Sequence, residues 1–333
     1  MKNSNTNIVD SYGRAHTYLR ISLTEKCNLR CFYCMPEEGV PLKEKSVFMS
    51  PTEVVSIAKK FVDLGVTKIR LTGGEPLVKK GVDPILKELG KLPVELSLTT
   101  NGILVDRFID TFQSAGIKKI NVSLDSLVEE RFNAISRRSY FVKIRENIQL
   151  LLSKGFHVKI NVVLIRGTNE DEIIDFINWS IHEEVSVQFI EFMPFDGNNW
   201  DSSKTISAAE ILDQVNAHFG SESILKLNDS PNSTSRNYQI KNGLGSFGII
   251  SSVTNPFCDS CNRIRLTADG KIKNCLFSND EGDLLSRFRA GEDIESIIRQ
   301  TIGLKKIARG GLPALDDTSL VNHENRSMIT IGG

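Results

Sequence analysis

The chain has 333 residues, of which 41 are Lys or Arg and 41 are Asp or Glu, so its formal net charge is zero. A balanced charge gives no electrostatic basis for binding a nucleic acid or a membrane surface. Residues 1–10 are polar and lack the apolar segment of a secretory signal, and no apolar run is long enough to cross a bilayer. We therefore expect a cytoplasmic protein with one barrel-sized domain, or one domain and a substantial extension.

The cysteines fall into two groups of three, and none is left over. The groups are Cys27, Cys31 and Cys34, followed by Cys258, Cys261 and Cys275. Disulfides could be drawn among them, but clustered cysteines in a cytosolic protein of this size more often bind metal.

The first group has the spacing C-x3-C-x2-C and follows the alternating run 19–24, which predicts a strand. The cysteines then occupy the loop after that strand, where three thiolates can converge. Three thiolates suit a cubane iron–sulfur cluster whose fourth iron stays open for another molecule. The alternative is a structural zinc site, but no fourth Cys or His lies nearby to complete it. With the aromatic Tyr33 before the third cysteine, the loop resembles the signature of the radical S-adenosylmethionine (SAM) superfamily.

After this loop, predicted strands and helices alternate. Ser50 and Glu53 form a capping box with Pro51 at the first helical position, which predicts a helix that ends at Gly65. Further strands are predicted at 68–72, 94–99, 119–125, 158–164 and 187–193, and amphipathic helices at 82–89, 105–115, 141–152 and 170–181. Strands joined by helices predict a parallel sheet, so the fold class is α/β.

The predicted strands carry polar side chains on one parity and apolar side chains on the other. The polar parity includes Arg20, Arg70, Thr99, Asn121 and Lys159. A closed barrel packs its interior with Val, Ile and Leu, so a polar inner face predicts a hollow barrel whose lumen holds a polar ligand. Six strands are too few for closure, and we expect a partial (βα)6 TIM-type barrel. The alternative is a sheet with one face in water, which antiparallel sheets often show.

The C-terminal part of the chain has a different pattern. A polar linker at 195–204 precedes a predicted helix at 205–219, and another helix is predicted at 292–300. Two β-hairpins are predicted, pairing 238–241 with 247–253 and 263–267 with 271–275. The second hairpin returns Cys275 towards Cys258 and Cys261, so three thiolates meet again without a fourth ligand. Zinc held by three cysteines and water is the alternative to a cluster here.

An ordered set of motifs gives a more specific resemblance. It comprises Leu19-Arg20-Ile21-Ser22 before the first cysteines, Thr72-Gly73-Gly74-Glu75-Pro76, Thr99-Thr100-Asn101-Gly102, Asn121-Val122-Ser123-Leu124-Asp125, Phe189-Ile190-Glu191-Phe192-Met193, residues 258–276 and a terminal Gly332-Gly333. Together these resemble the GTP 3′,8-cyclase family, radical SAM enzymes of molybdenum-cofactor biosynthesis that carry two clusters. The resemblance runs from about Asp10 to the last residue. It implies a radical SAM partial barrel over 10–197, closed by an extension over 198–333 whose β-hairpins carry the second cluster.

The resemblance also implies a role for particular residues. The two cysteine groups hold two [4Fe–4S] clusters. The residues that contact SAM are Tyr33, Gly74, Ser123 and Met193. The residues that hold GTP are Arg20, Arg70, Thr99, Lys159, Arg263 and Arg265. The catalytic tail is Gly332 and Gly333, and the role of the loop at 221–237 stays open.

The chemistry that the resemblance implies is a radical cyclisation. One electron, from a donor such as a flavodoxin or ferredoxin, cleaves SAM to methionine and a 5′-deoxyadenosyl radical. That radical takes the 3′ hydrogen of GTP, and the new carbon radical adds to C8 of guanine. The product passes to cyclic pyranopterin monophosphate synthase. The sequence leaves the oligomeric state open, with a homodimer as one option.

Two other functions compete with this interpretation. A radical SAM enzyme that modifies a peptide is expected to have more cysteines in its extension and a peptide-binding module. A non-enzymatic metal- or nucleotide-binding protein is not expected to have two incomplete ligand sets, because incomplete sets are where substrates bind.

Overall fold

The chain forms one continuous sheet of twelve strands in a computed structural model, which describes residues 7–35, 38–40, 43–312 and 326–332. The strands are β1 Tyr18–Ser22, β2 Lys68–Thr72, β3 Glu95–Thr100, β4 Lys119–Ser123, β5 His157–Leu164, β6 Val185–Glu191, β7 Ile224–Lys226, β8 Arg236–Ile240, β9 Ser246–Ile250, β10 Arg263–Leu266, β11 Lys271–Lys273 and β12 Glu281–Asp283. The helices are α1 Pro51–Asp63, α2 Val82–Gly90, α3 Ile109–Ser114, α4 Glu129–Ser136, α5 Phe141–Ser153, α6 Ile173–His182, α7 Ala208–Phe219, α8 Leu284–Arg289, α9 Glu295–Gly303 and α10 Met328–Ile331.

The order of the strands confirms the prediction of a mostly parallel α/β sheet. Strands β1 to β6 lie side by side in chain order, and β10 and β9 extend this parallel core at its two edges. Antiparallel pairing then adds β11 and β12 beyond β10, and β8 and β7 beyond β9. Both predicted hairpins are therefore present, and the C-terminal part of the chain continues the same sheet on either side.

Most predicted elements differ from the structure by only a few residues at their ends. The capping box of α1 is formed, because Glu53 N donates to Ser50 Oγ while Ser50 N donates to Glu53 Oε2. Helices α4, α8 and α10 were not predicted. They are only 8, 6 and 4 residues long, too short for a periodic pattern to stand out.

The helices bury the apolar side of the parallel core. Leu19 and Ile21 of β1 have no exposed surface, and Ile57, Ala58 and Phe61 of α1 are equally buried in the same core. No helix within the described ranges is long and apolar enough to cross a membrane.

The register of the strands aligns the polar side chains across the opposite side. Arg265 of β10 pairs with Arg20 of β1, and Arg20 pairs with Arg70 of β2. Further along the sheet, Asn121 of β4 pairs with both Thr99 and Lys159. Because residues in register point to the same face of a sheet, the cations predicted to share a face do so.

Buried hydrogen bonds fix the carboxyl ends of β4 and β5, where the site lies. Asn169 has no exposed surface. Its Nδ2 donates to Asp125 O at 2.7 Å and Val163 O at 3.0 Å, and its Oδ1 accepts from Ile165 N at 2.9 Å. This one side chain therefore joins the segments that follow two neighbouring strands.

The variant Asn169→Ala should lower the free energy of unfolding by about 2–4 kcal/mol, because three buried backbone groups lose their partner. Chemical denaturation of the anaerobic protein measures the loss. The exposed Asn216→Ala in α7 is the control, expected to change stability by less than about 0.5 kcal/mol. Equal stability of the two variants would contradict the role assigned to Asn169.

Candidate active site

One cavity on the polar side of the sheet brings the predicted cysteine, SAM and GTP residues together. Its walls include all of Arg20, Cys27, Cys31, Tyr33, Cys34, Arg70, Gly74, Thr99, Ser123, Lys159, Met193, Cys258, Cys261, Arg263, Arg265 and Cys275. These residues come from β1 to β5, from β10 and from the segments that follow the strands. Residues far apart in the sequence thus converge on one space.

The cysteines of the first group are half-buried in this cavity. Cys27 Sγ accepts hydrogen bonds from Leu29 N at 3.4 Å and Asn101 Nδ2 at 3.8 Å. Burial, with Glu75 nearby, raises the pKa of Cys27 to about 11, and burial raises the pKa of Cys34 to about 12. These thiols therefore need a bound cation to become thiolates at neutral pH.

Two neighbouring segments hold the first cysteine loop in place. Arg30 N donates to Ser136 O and Phe32 N donates to Ile135 O, so the loop is fixed to the end of α4. On its other side Gly74 N donates to Thr24 O at 2.7 Å. A Cβ atom at Gly74 would lie 2.5 Å from the carbonyl oxygen of Lys26, which no side chain could tolerate. The backbone of the cysteine loop alone therefore requires glycine at this position.

Asp125 is a site residue that sequence reasoning named only as part of a motif. Tyr33 OH donates to Asp125 Oδ2 at 2.6 Å, and Val163 N donates to Asp125 Oδ1 at 2.9 Å. Burial raises the pKa of Asp125 to about 6. Asp125 follows β4 and has the same parity as the polar side chains of that strand, which indicates that it faces the cavity. Its pairing with Tyr33 is seen only in the structure.

The second cysteine group has more polar surroundings. Arg309 N donates to Cys258 Sγ at 3.3 Å, and Lys305 Nζ donates to Cys261 Sγ at 3.5 Å. Burial alone would raise the pKa of Cys261, but Arg263 and Lys305 outweigh burial and lower it to about 7. Burial raises the pKa of Cys258, so within this group the two cations act mainly on Cys261.

Each donor set, three free thiols in one cavity, is compatible with an iron–sulfur cluster. All six cysteines are free thiols. In the described ranges no three Cys, His, Asp or Glu side chains are grouped as ligands of one metal ion. A single zinc ion draws its sulfurs to within about 4 Å of each other, whereas each thiolate of a cubane cluster binds a different iron. Three thiols that line the same cavity can therefore hold a cluster even though they are not grouped around a single ion.

The cavity carries a concentration of positive charge. Burial, with Arg265 and Arg70, holds the pKa of Arg20 well below its ordinary range. Burial and Arg263 lower the pKa of Arg265 to about 10, and burial and Arg70 lower that of Lys159 to about 8. None of these three has a carboxylate partner within salt-bridge distance in the described part of the chain. Buried and half-buried cations that repel one another in this way favour binding of a polyanion.

Several buried polar atoms of the cavity residues have no hydrogen-bond partner among the described residues. They are Arg20 Nε, Thr99 Oγ1, Asn121 Oδ1, Ser235 Oγ and Asn274 Oδ1. Leaving such an atom unpaired costs about 1–3 kcal/mol, which a polar ligand can recover. Ser235 belongs to the 221–237 loop, so part of that loop lines the cavity.

The described part of the tail lies next to the site. Arg265 Nη1 donates to Gly332 O at 2.5 Å. Ile331 is buried against Phe195 and Phe277, whose rings stack at 6.1 Å, and Cys275 packs on the same cluster. Gly333 lies outside the described residues. The tail is thus anchored beside the second cysteine group through α10.

Two family models match consecutive parts of the chain. Residues 21–180 match the family model described as Radical SAM superfamily, and residues 185–309 match Molybdenum Cofactor Synthesis C. The crystal structure of Streptococcus suis SuiB has a TM-score of 0.62 with 16% identity, over 96% of this chain and 78% of that one. At that identity the likeness shows the fold alone. The chain is therefore of the radical SAM class, which uses SAM and a [4Fe–4S] cluster.

Curated relatives give the family. The mitochondrial GTP 3′,8-cyclase of Arabidopsis thaliana is 43% identical over 98% of this chain and 83% of that protein. GTP 3′,8-cyclase of Peptoclostridium acidaminophilum is 40% identical over 98% of both. Human molybdenum cofactor biosynthesis protein 1 is 43% identical over 97% of this chain, which spans about half its length. The chain belongs to the GTP 3′,8-cyclase family.

The variant Asp125→Ala should weaken retention of the first cluster, because Tyr33 OH and Val163 N both lose a buried acceptor. A cost of about 1.5–3 kcal/mol corresponds to iron release to a chelator roughly 10- to 100-fold faster than in the unchanged protein. Asp125→Asn keeps one acceptor oxygen and should release iron at an intermediate rate. The exposed Asp171→Ala is the control. Iron release from Asp125→Ala at the control rate would contradict this role.

Proposed function

We propose that this chain converts GTP to (8S)-3′,8-cyclo-7,8-dihydroguanosine 5′-triphosphate, the first step of molybdenum cofactor biosynthesis. The observation that carries the proposal is one cavity that holds two groups of three cysteines and a set of buried and half-buried cations, which have no carboxylate partner among the described residues. A triphosphate supplies the missing negative charge. The choice of guanine over other bases rests on the named relatives.

We further propose that β1 to β6 curve into a partial (βα)6 barrel over residues 10–197, closed by the extension at 198–333. Support comes from the convergence of residues from all these strands on one cavity. The pairing of β10 with β1 and of β9 with β6 lets the extension cover both open edges. A covered lumen excludes water, which would otherwise weaken each charge–phosphate contact.

In this proposal the triphosphate is bound by Arg20, Arg70, Lys159, Arg263 and Arg265. Arginine suits the task because its planar group can donate two parallel hydrogen bonds to a phosphate. Thr99 Oγ1 lacks a partner and can donate to the same substrate. Binding an anion here also relieves the mutual repulsion that adds to burial in lowering the pKa values of Arg20, Lys159 and Arg265.

In this proposal Cys258, Cys261 and Cys275 would hold a second [4Fe–4S] cluster, which would bind the guanine of GTP. Arg263 lies over the ring of Phe257 at 4.7 Å, which fixes the guanidinium beside Cys261. Tyr33, Gly74, Ser123 and Met193 bind SAM next to the first group. When bound, the first cluster supplies the electron that cleaves SAM and starts radical chemistry at the ribose.

The tail is proposed to organise the substrate. Arg265 already contacts Gly332 O, so one guanidinium can join the tail to the triphosphate. Gly332 has a φ of +85°, a backbone conformation that favours glycine. Gly333 is assigned the same role by family resemblance. A flavodoxin or ferredoxin as donor, cyclic pyranopterin monophosphate synthase as the next enzyme, a homodimer and a cytoplasmic location also remain proposals.

The variants Cys31→Ala and Cys261→Ala should separate SAM cleavage from GTP turnover. Cys31→Ala should abolish SAM cleavage, because the first cluster is lost. Cys261→Ala should keep some uncoupled cleavage while losing GTP turnover, because the second group serves only the substrate. Anaerobic assays of 5′-deoxyadenosine and of cyclised nucleotide measure both.

Iron analysis accompanies these assays. The unchanged protein should hold about eight iron per chain and each variant about four, as two cubane clusters require. Half the expected iron in the unchanged protein, with one tightly held zinc, would overturn the second cluster. Equal loss of both activities in folded Cys261→Ala would overturn the division of labour.

A further inference from the structure

We propose that Lys305 is a positioning residue that raises the reduction potential of the cluster held by Cys258, Cys261 and Cys275. It does so through a charged hydrogen bond to Cys261 Sγ. The inference rests on the proposed second cluster and adds a role for a residue outside the three ligands.

The geometry of Lys305 leaves its ammonium group a single orientation. Lys305 is 5% exposed. Its Nζ donates to the carbonyl oxygen of Asn274 at 2.6 Å, to that of Arg263 at 3.2 Å and to Cys261 Sγ at 3.5 Å. An ammonium group has three N–H donors, so the two carbonyls and the sulfur use all of them.

The two carbonyl partners belong to the strand and hairpin end that carry the cysteines. Arg263 begins β10, two residues after Cys261, and Asn274 directly precedes Cys275. Lys305 therefore joins both sides of the second cysteine group, and the group's geometry depends on it. The backbone bond from Arg309 N to Cys258 Sγ comes from the same segment of the chain.

The charge of Lys305 needs a partner in this buried position. Both carbonyls are neutral, and no carboxylate forms a salt bridge with Lys305 in the described part of the chain. A buried cation is costly unless an anion offsets it. The thiolate of Cys261, with the cluster attached to it, supplies that negative charge.

Among the described residues, no lysine or arginine donates to a sulfur of the first cysteine group, and Arg30 donates to the carbonyl oxygen of Cys27 instead. Cys27 Sγ accepts hydrogen bonds from an uncharged backbone N–H and from the uncharged amide of Asn101. Hydrogen bonds to the sulfurs and nearby net charge are two of the factors that set the potential of an iron–sulfur cluster. A positive charge favours the reduced form, which is one electron more negative. The two clusters should therefore be reduced in separate steps, the second at the higher potential.

The test is a redox titration of the anaerobic full chain, followed by electron paramagnetic resonance. The variants are Lys305→Met and, as the matched control, Lys306→Met, which removes an exposed lysine one residue away. A Cys31→Ala chain, which lacks the first cluster, assigns the two signals. In Lys305→Met the second-cluster midpoint should shift to a more negative potential, while the first-cluster midpoint stays unchanged. Lys306→Met should leave both midpoints unchanged.

Other outcomes separate the inference from the proposed function. An unshifted second-cluster midpoint in Lys305→Met that retains eight iron overturns the role of Lys305 and leaves the second cluster intact. Only one cluster in the unchanged chain overturns the second cluster itself, and the inference with it. If Lys305→Met holds only four iron, the redox titration is repeated on Lys305→Gln, which keeps a neutral hydrogen-bond donor in place of the ammonium group. A negative shift in that variant supports the role, and no shift overturns it.

Discussion

The structure depends on one constraint. In each parallel strand, successive side chains point to opposite faces of the sheet. Leu19 and Ile21 point to the helices, while Arg20 between them points to the cavity. The register places Arg265, Arg20 and Arg70 side by side, so the sheet itself builds the charge of the site. Helices can cover only the apolar side. The cationic side lines the cavity instead, and the ligand proposed to bind there carries the opposite charge.

The sequence predicted those parts of the fold that local patterns specify. The bounds of β2 and the capping box of α1 were predicted correctly, because strand alternation and helix caps are set by neighbouring residues. Strand parity also predicted correctly that Arg20 and Lys159 lie on the side of the sheet that lines the cavity. The pairing of β9 with β6 could not be predicted, because contacts between distant segments leave no mark in a local pattern.

The contrast between local patterns and contacts of distant segments also applies to the site residues. Some could be predicted from the sequence and others could not. Cysteine spacing predicted two groups of three thiols, and the structure places both groups in one cavity. Asp125 and Lys305 were missed as partners of Tyr33 and Cys261, because 92 and 44 residues separate each pair. Such supporting residues set the orientation and charge of a metal site while carrying no spacing rule of their own. The two cysteine groups therefore resemble each other in sequence and differ in electrostatics.

The central claim is that the two cysteine groups and the cations serve one reaction on GTP. Its most direct test uses GTP deuterated at the ribose 3′ position, mixed anaerobically with the protein, SAM and dithionite. Mass spectrometry should find the deuterium in 5′-deoxyadenosine, together with a cyclised guanine nucleotide, and ATP should give neither. Unlabelled 5′-deoxyadenosine formed at the same rate with or without GTP would contradict the account.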